Sequence, residues 1–430
     1  MNECKSKFID QVYPVTVQLA GIKPKERVAV CGFGLTSMDV ISALTLGRGG
    51  SYFKDEHGVL KYHASGFEPK IFMFSRSGLP YRGRPTFSTT NTNSYQPVFF
   101  TYHKVDELRK SLPLHKALDF QQDILPILFA EMKFRFYVTA AQISEGDKGG
   151  NQAKEALTQA WHNGGFHQAL NFFSNKYGTF DPESFLLVDW PYNSEDSNSY
   201  QKQFCDLVKT DLNESKMGLA RSPLKAALEL FRDLRGVIRY AVDHSGLEPH
   251  SHQLFLTQYT PLMNRMVAGP QKERLEELLA LIDCSILEVP FGPFPQVSYS
   301  QMTHTFKIES TLLGKPISRN VDHICLAHIF QPSLEQSDSK LIQNLYKNER
   351  IRSYFNRNIF IGGIDLDNNM QPITTEGSVN SNIWVLGPLA EGVLFYNHYI
   401  PSPNSCSKAY KDANLTVGLL FGRIVLEPVS

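Results

Sequence analysis

The chain has 430 residues, of which 42% are hydrophobic and 20% are charged, so it can bury the core of a globular protein of about two domains. Its 43 basic residues balance its 43 acidic residues, and this balance argues against nucleic acid or an anionic membrane surface as a partner. Six cysteines without a Cys-x-x-Cys pair, no secretory signal pattern and no apolar run of bilayer length predict a cytoplasmic protein without a membrane partner.

The first informative element is a short apolar strand, Val28 to Cys31, that runs into two glycines and then a helix. Glycines let the backbone turn tightly and approach phosphate groups, whose charge is met by the N–H groups at the helix start. The pattern predicts a site for the pyrophosphate of a dinucleotide, and its alternative is an ordinary strand-turn-helix that contains glycines. The predicted cofactor-binding residues are Gly32, Phe33, Gly34, Leu35, Thr36 and Ser37, the last of which replaces the usual third glycine.

A second apolar strand, Ile71 to Phe74, ends in Ser75, Arg76 and Ser77. The end of the second strand of a mononucleotide-binding unit is where the adenosine ribose lies. An acidic residue there favours NAD, whereas an arginine flanked by hydroxyl groups suits a 2′-phosphate. These three residues are therefore predicted to bind NADP, and the alternative is a surface arginine in a strand-end turn.

These segments resemble the family of FAD/NAD(P)-binding flavoproteins that includes FAD-dependent urate hydroxylase and aspartate N-monooxygenase. The resemblance covers nearly all of this chain, but only the later part of the family pattern. The family opens with a first Gly-x-Gly-x-x-Gly turn that holds the FAD pyrophosphate, and this sequence has no such opening, because its turn at Gly32 matches the second, nicotinamide-binding unit. The matching segments are Gly32 to Asp39, Leu44 to Gly50, Ser65 to Pro69, Ser75 to Pro80 and Leu386 to Gly392.

The resemblance implies an oxidoreductase, namely a flavin-dependent, NADPH-consuming monooxygenase (hydroxylase) of a small polar substrate, or a fragment of one. The implied cofactors are NADP and FAD, and the absent first glycine turn leaves the FAD site in question. One alternative is a partner chain that supplies the FAD-binding part. Another is a non-catalytic NAD(P)-binding module that has lost its flavin site. The resemblance does not choose between urate-like and amino-acid substrates.

Helical periodicity replaces strand-like sequence after Tyr102, and short strands return after Ile286. The predicted fold is α/β, a Rossmann-like nucleotide-binding domain with an inserted mainly helical segment. Its parts are the NAD(P)-binding residues 1–102, a helical insertion or cap at 103–284, and a return to the α/β domain at 285–430. The predicted helices are Val105 to Leu118, Asp123 to Ala141, Gln152 to Trp161, Tyr200 to Ser215, Pro223 to His244 and Pro270 to Ile282, and the later strands are His304 to Glu309, His323 to Phe330 and Ile383 to Leu386.

The last predicted strand runs into Gly387, Pro388 and Leu389. In the family this strand leads back to the flavin, followed by a final helix, here about Ser405 to Gly422, so the resemblance implies that these three residues face FAD. From the residues alone, glycine and proline simply end secondary structure. The aromatic residues that follow fit a core as well as they fit a ligand, and they are Phe395, Tyr396, His398 and Tyr399.

No catalytic residue stands out, because the sequence shows no Ser-His-Asp set, no Walker A motif and no acidic pair. No metal site is predicted either, since no histidine pair has ligand spacing beside a carboxylate base. Redox chemistry carried by bound cofactors is the reaction class that remains.

Overall fold

A computed structural model describes residues 7–86, 95–186, 190, 193–328, 333–398 and 407–422. It is a mixed α/β protein with a parallel sheet and many helices. The chain divides into two compact units. Unit 1 comprises residues 1–89, 132–232 and 261–329, and unit 2 comprises residues 90–131, 233–260 and 330–430. The predicted three-part division at residues 102 and 284 stays a prediction.

The strands form a parallel sheet, an antiparallel sheet and two hairpins. In chain order they are β1 (Phe8–Ile9), β2 (Arg27–Cys31), β3 (Ser51–Lys54), β4 (Leu60–His63), β5 (Lys70–Phe74), β6 (Leu287–Glu288), β7 (Gln296–Ser300), β8 (Thr305–Ser310), β9 (Ile317–Val321), β10 (His323–Leu326), β11 (Ser353–Asn356) and β12 (Ile359–Ile364). The parallel sheet has the spatial order β1-β10-β2-β5-β6, and β7-β8-β9 form the antiparallel sheet. The hairpins are β3-β4 and β11-β12.

Helices make up much of the remaining described chain. The helices are α1 (Val15–Gln18), α2 (Leu35–Leu44), α3 (Tyr102–Ser111), α4 (Leu125–His162), α5 (Phe166–Tyr177), α6 (Ser197–Met217), α7 (Pro223–Leu228), α8 (Leu230–Asp233), α9 (Arg235–Val242), α10 (Pro249–Leu254), α11 (Thr260–Val267), α12 (Lys272–Asp283), α13 (Lys340–Lys347) and α14 (Lys408–Leu420). No helix among the described residues is long and apolar enough to cross a membrane. The expected cytoplasmic location stays a prediction.

Strand β2 lies at the centre of unit 1 and is buried on both faces, as parallel strands usually are. Successive side chains point to opposite faces of the sheet. Val28 and Val30 belong to a core that also contains residues of helices α2, α6 and α12. Ala29 belongs to a second core, in which Phe306 and Ile308 of the antiparallel sheet take part. Unit 1 therefore has three layers, with the parallel sheet between helices and the second sheet.

Unit 2 has its own apolar core. It contains residues of α13, such as Ile342 and Leu345, together with Tyr354 of β11 and Ile364 of β12. Loop residues between 366 and 394 complete it, among them Val385 and Val393. These side chains let an irregular stretch of chain pack without further strands.

Several predicted elements are confirmed, with ends that differ by a few residues. Strands β5, β8 and β10 and helices α6 and α12 lie where the sequence pattern places them, although β10 ends at Leu326 and residues 329 and 330 lie outside the described residues. The first predicted helix ends at Ser111 rather than Leu118, because Pro113 disfavours helical backbone at the residue before it. The final helix begins at Lys408, and Ser405 lies outside the described residues.

The predicted helices Asp123 to Ala141 and Gln152 to Trp161 are confirmed as the two helical segments of α4, which meet at a kink where Gly146 has non-helical backbone. Two other predicted elements are wrong in kind or extent. The single helix Pro223 to His244 is three short helices, α7 to α9, whose residues are buried on nearly every side, so tertiary packing outweighs local periodicity. Residues 383–386 form no strand, because their loop bonds to another loop, as Val385 N does to Met370 O at 2.9 Å.

A buried ionic network fixes the chain that follows β5 in unit 1. The Asp211 carboxylate accepts hydrogen bonds from Arg82 at 2.8 Å and from the Gly83 N–H at 2.6 Å. It also pairs with Lys225 at 2.8 Å, and both side chains are almost fully buried, at 6% and 3% exposed. Lys225 and Ser215 in turn donate to the Gly83 carbonyl. Burial lowers the pKa of Lys225, and the adjacent carboxylate opposes that shift.

Asp211→Ala is expected to lower the free energy of unfolding by about 3–5 kcal/mol, because it leaves the Lys225 ammonium buried without its counter-charge. The matched control is Asp283→Ala, which breaks the exposed Lys61–Asp283 pair and should change stability by less than about 1 kcal/mol. Urea denaturation of both variants measures the difference. Equal small losses in the two variants would show that the network does not hold unit 1 together.

A second polar cluster lies at the opposite end of β2, where the strand begins. Arg27 donates two side-chain hydrogen bonds to Asp322, at 3.2 and 3.0 Å. Glu26 accepts a hydrogen bond from the Lys23 N–H and lies 2.9 Å from His323 Nε2. Burial alone would raise the pKa of Asp322, but the hydrogen bonds from Arg27 outweigh burial and hold that pKa below its ordinary value of 3.8.

Asp322→Asn should therefore remove a pH-dependent part of the stability. Because the folded pKa is lowered, the carboxylate stabilises the fold above the unfolded pKa and loses this effect as the pH falls through the folded value. At pH 7 the substitution should cost about 1–2 kcal/mol. Urea denaturation between about pH 7 and pH 3 should show the gap between variant and original chain closing at the acid end. A gap that stays constant over this range would refute the assignment.

Candidate functional site

The glycine turn lies at the carboxyl end of the central strand. The Gly32 N–H donates to Phe74 O at 2.8 Å, and the Ala327 N–H donates to Cys31 O at 2.9 Å. The turn therefore sits between the ends of β5 and β10, which flank β2 in the sheet. Helix α2 begins directly after it, with Gly34 at its N-cap and no side chain that caps the first amides. Such an uncapped helix start presents unpaired N–H groups to a ligand.

The two glycines of the turn have different structural roles. Gly32 has a φ of +133°, and a Cβ atom placed there would lie 2.6 Å from Ala327 O. Gly32 is thus required by the fold itself. Gly34 has a φ of −88°, which any residue adopts, and a Cβ atom there would meet only the Tyr81 ring, at 3.7 Å. Its missing side chain instead leaves room beside the helix start.

The other predicted residues of the turn point in different directions. Phe33 is 3% exposed and packs against Phe204 at 5.0 Å between ring centres, so only its backbone can face a ligand. Leu35 is exposed and Thr36 is partly exposed. Ser37 is buried, and its hydroxyl donates to Ala327 O at 3.4 Å. Ser37 thus allows helix α2 to approach the end of β10, as a third glycine would.

The predicted 2′-phosphate segment lies at the end of the neighbouring strand. Because Cys31 pairs with Phe74, the sheet places Ser75 beside Gly32. Ser75 Oγ accepts the Gly78 N–H at 3.2 Å, and Ser77 Oγ accepts the Leu79 N–H at 3.3 Å. Arg76 is exposed, and no described residue forms a hydrogen bond or ion pair with its guanidinium group. The two predicted segments of unit 1 are therefore adjacent at one edge of the sheet.

Two ionisable side chains near the turn are not available for acid-base or nucleophilic chemistry. Burial raises the pKa of the Cys31 thiol to about 11, so this thiol stays protonated at neutral pH. Burial and a hydrogen bond to Asp39 raise the pKa of the Tyr13 hydroxyl. The described residues also contain no cluster of three or more His, Cys, Asp or Glu side chains that could hold a metal ion.

The predicted flavin-facing residues belong to unit 2. Gly387 has a φ of +82° and precedes a short 3-10 turn, Pro388–Ala390. No described atom lies within 4 Å of a Cβ atom placed at Gly387, so this part of the backbone is open. Leu389 packs against the apolar core of unit 2. The role of Gly387, Pro388 and Leu389 toward FAD stays a prediction.

Two of the aromatic residues after this turn belong to the core. Phe395 and Tyr396 are buried, and the Phe395 ring lies 4.8 Å from that of Phe255. Arg235 lies over the Tyr396 ring at 3.6 Å. Of the two alternatives for these two residues, the structure favours core packing. Tyr399 lies outside the described residues.

Sequence reasoning missed the segment that follows Arg76. Tyr81 packs beside Gly34, and Arg82 and Gly83 enter the buried network of Asp211 and Lys225. The available signal was the cluster Tyr81-Arg82-Gly83-Arg84 directly after a predicted nucleotide-binding strand. Its partners lie more than a hundred residues away in the chain, so no local pattern identifies them.

Comparison with known proteins gives three relatives that share most of this chain. Nitrosuccinic acid synthase of Aspergillus oryzae is 29% identical over 424 residues, which are 93% of this chain and 61% of that protein. L-aspartate N-monooxygenase (nitrosuccinate-forming) of Streptomyces cremeus is 28% identical over 351 residues, 79% of this chain and 51% of that protein. The protein of the same name from Streptomyces davaonensis is 30% identical over 338 residues, 77% of this chain and 51% of that protein.

No protein-family model matches the sequence. The chain spans between 51% and 61% of the length of these three relatives, so it matches only a part of each. The resemblance predicted from the glycine turn, the Ser-Arg-Ser segment and the other motifs is confirmed: over most of its length, this chain is a relative of the nitrosuccinate-forming aspartate N-monooxygenases.

Proposed function

We propose that this chain is the NADPH-binding part of a flavin-dependent monooxygenase that oxidises the nitrogen of a small amino acid such as aspartate. One observation carries the proposal: in a chain with these relatives, the glycine turn and Arg76 lie at the ends of adjacent parallel strands. The names of the three relatives support aspartate nitrogen as the oxidised group. The composition excludes neither this reaction nor this substrate.

The sheet order supports a Rossmann-like nucleotide site. From the central strand β2, the chain adds β5 and β6 on one side and then β10 on the other. In open parallel sheets, ligands bind outside the carboxyl ends of the strands where the order reverses in this way. That position in unit 1 is the gap beside the Gly32 turn.

The proposal gives each residue of this edge a role toward NADPH. The amides of Leu35 and Thr36 at the start of α2 bind the pyrophosphate, which the helix dipole favours. Arg76 binds the 2′-phosphate through charge-assisted hydrogen bonds. Ser75 and Ser77 use their oxygens as acceptors within the turn, so each hydroxyl proton remains to be donated to the same phosphate.

FAD is the second cofactor in the proposal. When bound, flavin supplies the activation of oxygen and NADPH supplies the reducing equivalents, which is chemistry that no side chain provides. Among the described residues, only one strand of the parallel sheet runs through a glycine turn into a helix. We assign this strand-turn-helix unit to NADPH. Within unit 2, the open backbone at Gly387 is the segment that the resemblance assigns to the flavin.

The visible absorption spectrum tests the flavin half of the proposal. The purified chain is measured before and after incubation with FAD and desalting, and then NADPH is added in air. Retained flavin whose absorbance is bleached by NADPH supports a working flavoprotein. A colourless chain that retains no FAD but binds NADP+ favours the alternative, a nicotinamide nucleotide module without its own flavin site.

Arg76→Ala is expected to weaken NADP+ binding about 10- to 100-fold, the loss typical of one charge-assisted phosphate contact, and to leave NAD+ binding unchanged. Isothermal titration calorimetry with each nucleotide measures both constants. The control is Arg319→Ala, which removes an exposed arginine from strand β9 of the same unit and should affect neither nucleotide. An unchanged preference for NADP+ over NAD+ in Arg76→Ala would remove Arg76 from the site.

Substitution of the two glycines should separate folding from binding. Gly32→Ala should lower the free energy of unfolding by about 2–4 kcal/mol, because alanine is strained at that φ and its Cβ would overlap Ala327 O. Gly34→Ala should change stability by less than about 1 kcal/mol, because its φ is ordinary. It should nevertheless weaken NADP+ binding at least about tenfold, since the new methyl group fills the phosphate approach. Denaturation and calorimetry on both variants would contradict this division if Gly34→Ala bound NADP+ normally.

A further inference from the structure

We propose that Tyr81 is a further nucleotide-binding residue, whose ring forms one wall of the pyrophosphate site. This inference rests on the proposed function and extends it. It makes the segment from Ser75 to Gly83 contact the dinucleotide at two points, with Arg76 at the 2′-phosphate and Tyr81 at the pyrophosphate. The ligand class is a dinucleotide diphosphate.

The position of the ring relative to Gly34 is the first argument. A Cβ atom placed at Gly34 would lie 3.7 Å from Tyr81 Cζ and 3.9 Å from each Cε atom. These are ordinary van der Waals distances, so the gap between the ring and Gly34 holds no more than a methyl group, and the ring lies directly beside the start of helix α2. Tyr81 is only partly buried, so part of the residue is accessible at this position.

A tight turn brings Tyr81 to this position. Gly78 has a φ of +68°, and a Cβ atom there would lie 2.9 Å from Pro293 N, so only glycine fits. The Tyr200 hydroxyl donates to Gly78 O at 2.7 Å and fixes the turn from the core. The chain that leaves β5 is thereby directed back across the end of β2.

The residues after Tyr81 are fixed as well. The Arg82 N–H donates to Arg265 O at 3.0 Å, and the Asp211 carboxylate holds both the Arg82 side chain and the Gly83 N–H. The backbone is therefore fixed both before and after Tyr81. Such preorganisation means that little conformational entropy is lost when a ligand binds against the ring.

The surrounding charge suits an anion. Burial lowers the pKa of Arg265 to about 10, and its guanidinium group donates a hydrogen bond to Phe185 O at 3.0 Å. This guanidinium group stays cationic at neutral pH. The dipole of α2 gives the space at the helix start a positive potential.

Two nucleotides that each lack one of the two contacts test the inference. NAD+ carries the pyrophosphate without the 2′-phosphate, and 2′-AMP carries the 2′-phosphate without the pyrophosphate. Calorimetry should show that Tyr81→Ala weakens NAD+ binding about 5- to 20-fold and leaves 2′-AMP binding unchanged, the range expected for one lost ring contact. Arg76→Ala should give the reverse pattern. Tyr81→Phe should bind both nucleotides as the original chain does, since the ring is retained.

Each outcome decides a separate question. If the original chain binds none of NADP+, NAD+ and 2′-AMP, the proposed function fails. If it binds them and Tyr81→Ala binds NAD+ equally well, only the role of Tyr81 is overturned. Tighter NAD+ binding by Tyr81→Ala would also overturn it, because the ring would then obstruct the site.

A measurement on the original chain keeps the test independent of how the variants fold. Tetranitromethane nitrates accessible tyrosine rings, and mass spectrometry locates the modified residue. NADP+ and NAD+ should each slow the nitration of Tyr81 at least about threefold, as expected for a ring that a bound ligand covers, whereas 2′-AMP should not. Equal nitration of Tyr81 with and without saturating NADP+ would refute the contact.

Discussion

The candidate site depends on the parallel pairing of β2 with β5 and β10. The register places Cys31 opposite Phe74 on one side and opposite Leu326 on the other. The two apolar faces of β2 fix this register, because a slip of one residue would exchange the side chains of the two cores. The carboxyl ends of three strands are thereby held at one level. Only this alignment brings a turn after residue 31 beside a segment after residue 74.

The sheet alone does not place the segment after β5. Beyond Phe74 the chain has no ladder partner, and buried side chains from helices α6 and α7 take over the role of a neighbouring strand. Asp211 and Lys225 together bind the N–H and the carbonyl of Gly83, as two backbone groups of a strand would. The cost of burying this ion pair is offset because each charge has several hydrogen-bond partners. Secondary structure thus sets one half of the site and a polar network sets the other.

The sequence predicts the parts of this arrangement whose signals lie close together in the chain, and it does not predict the parts that depend on distant residues. Strand β2, its glycine turn and strand β5 carry their signals within a few residues, and they were predicted within one residue of their observed ends. The two helical segments of α4 were also predicted, and they meet at the kink at Gly146. Tyr81 could not be predicted, because its position depends on Asp211, 128 residues beyond Gly83.

The charged residues of the family-like motifs differ in what they bind. Three of them form hydrogen bonds with backbone groups. Arg48 donates to the carbonyls of Leu19, Ile22 and Phe67, Glu68 accepts the amides of Ser65 and Gly66, and Glu391 accepts those of Tyr396 and Asn397. Asp39 accepts a hydrogen bond from the Tyr13 hydroxyl at 2.5 Å.

Arg76 differs from these four, because the described part of the chain offers its guanidinium group no partner at all. A charged motif residue that forms hydrogen bonds with backbone groups has a structural role, because its loss would leave buried polar atoms unpaired. An exposed motif charge has no such explanation within the chain. Its place at the strand end, beside hydroxyl groups and a helix start, is compatible with the anion that the proposed function gives it. The physical distinction between satisfied and unsatisfied charges thus supports the proposal that Arg76 binds the nucleotide phosphate.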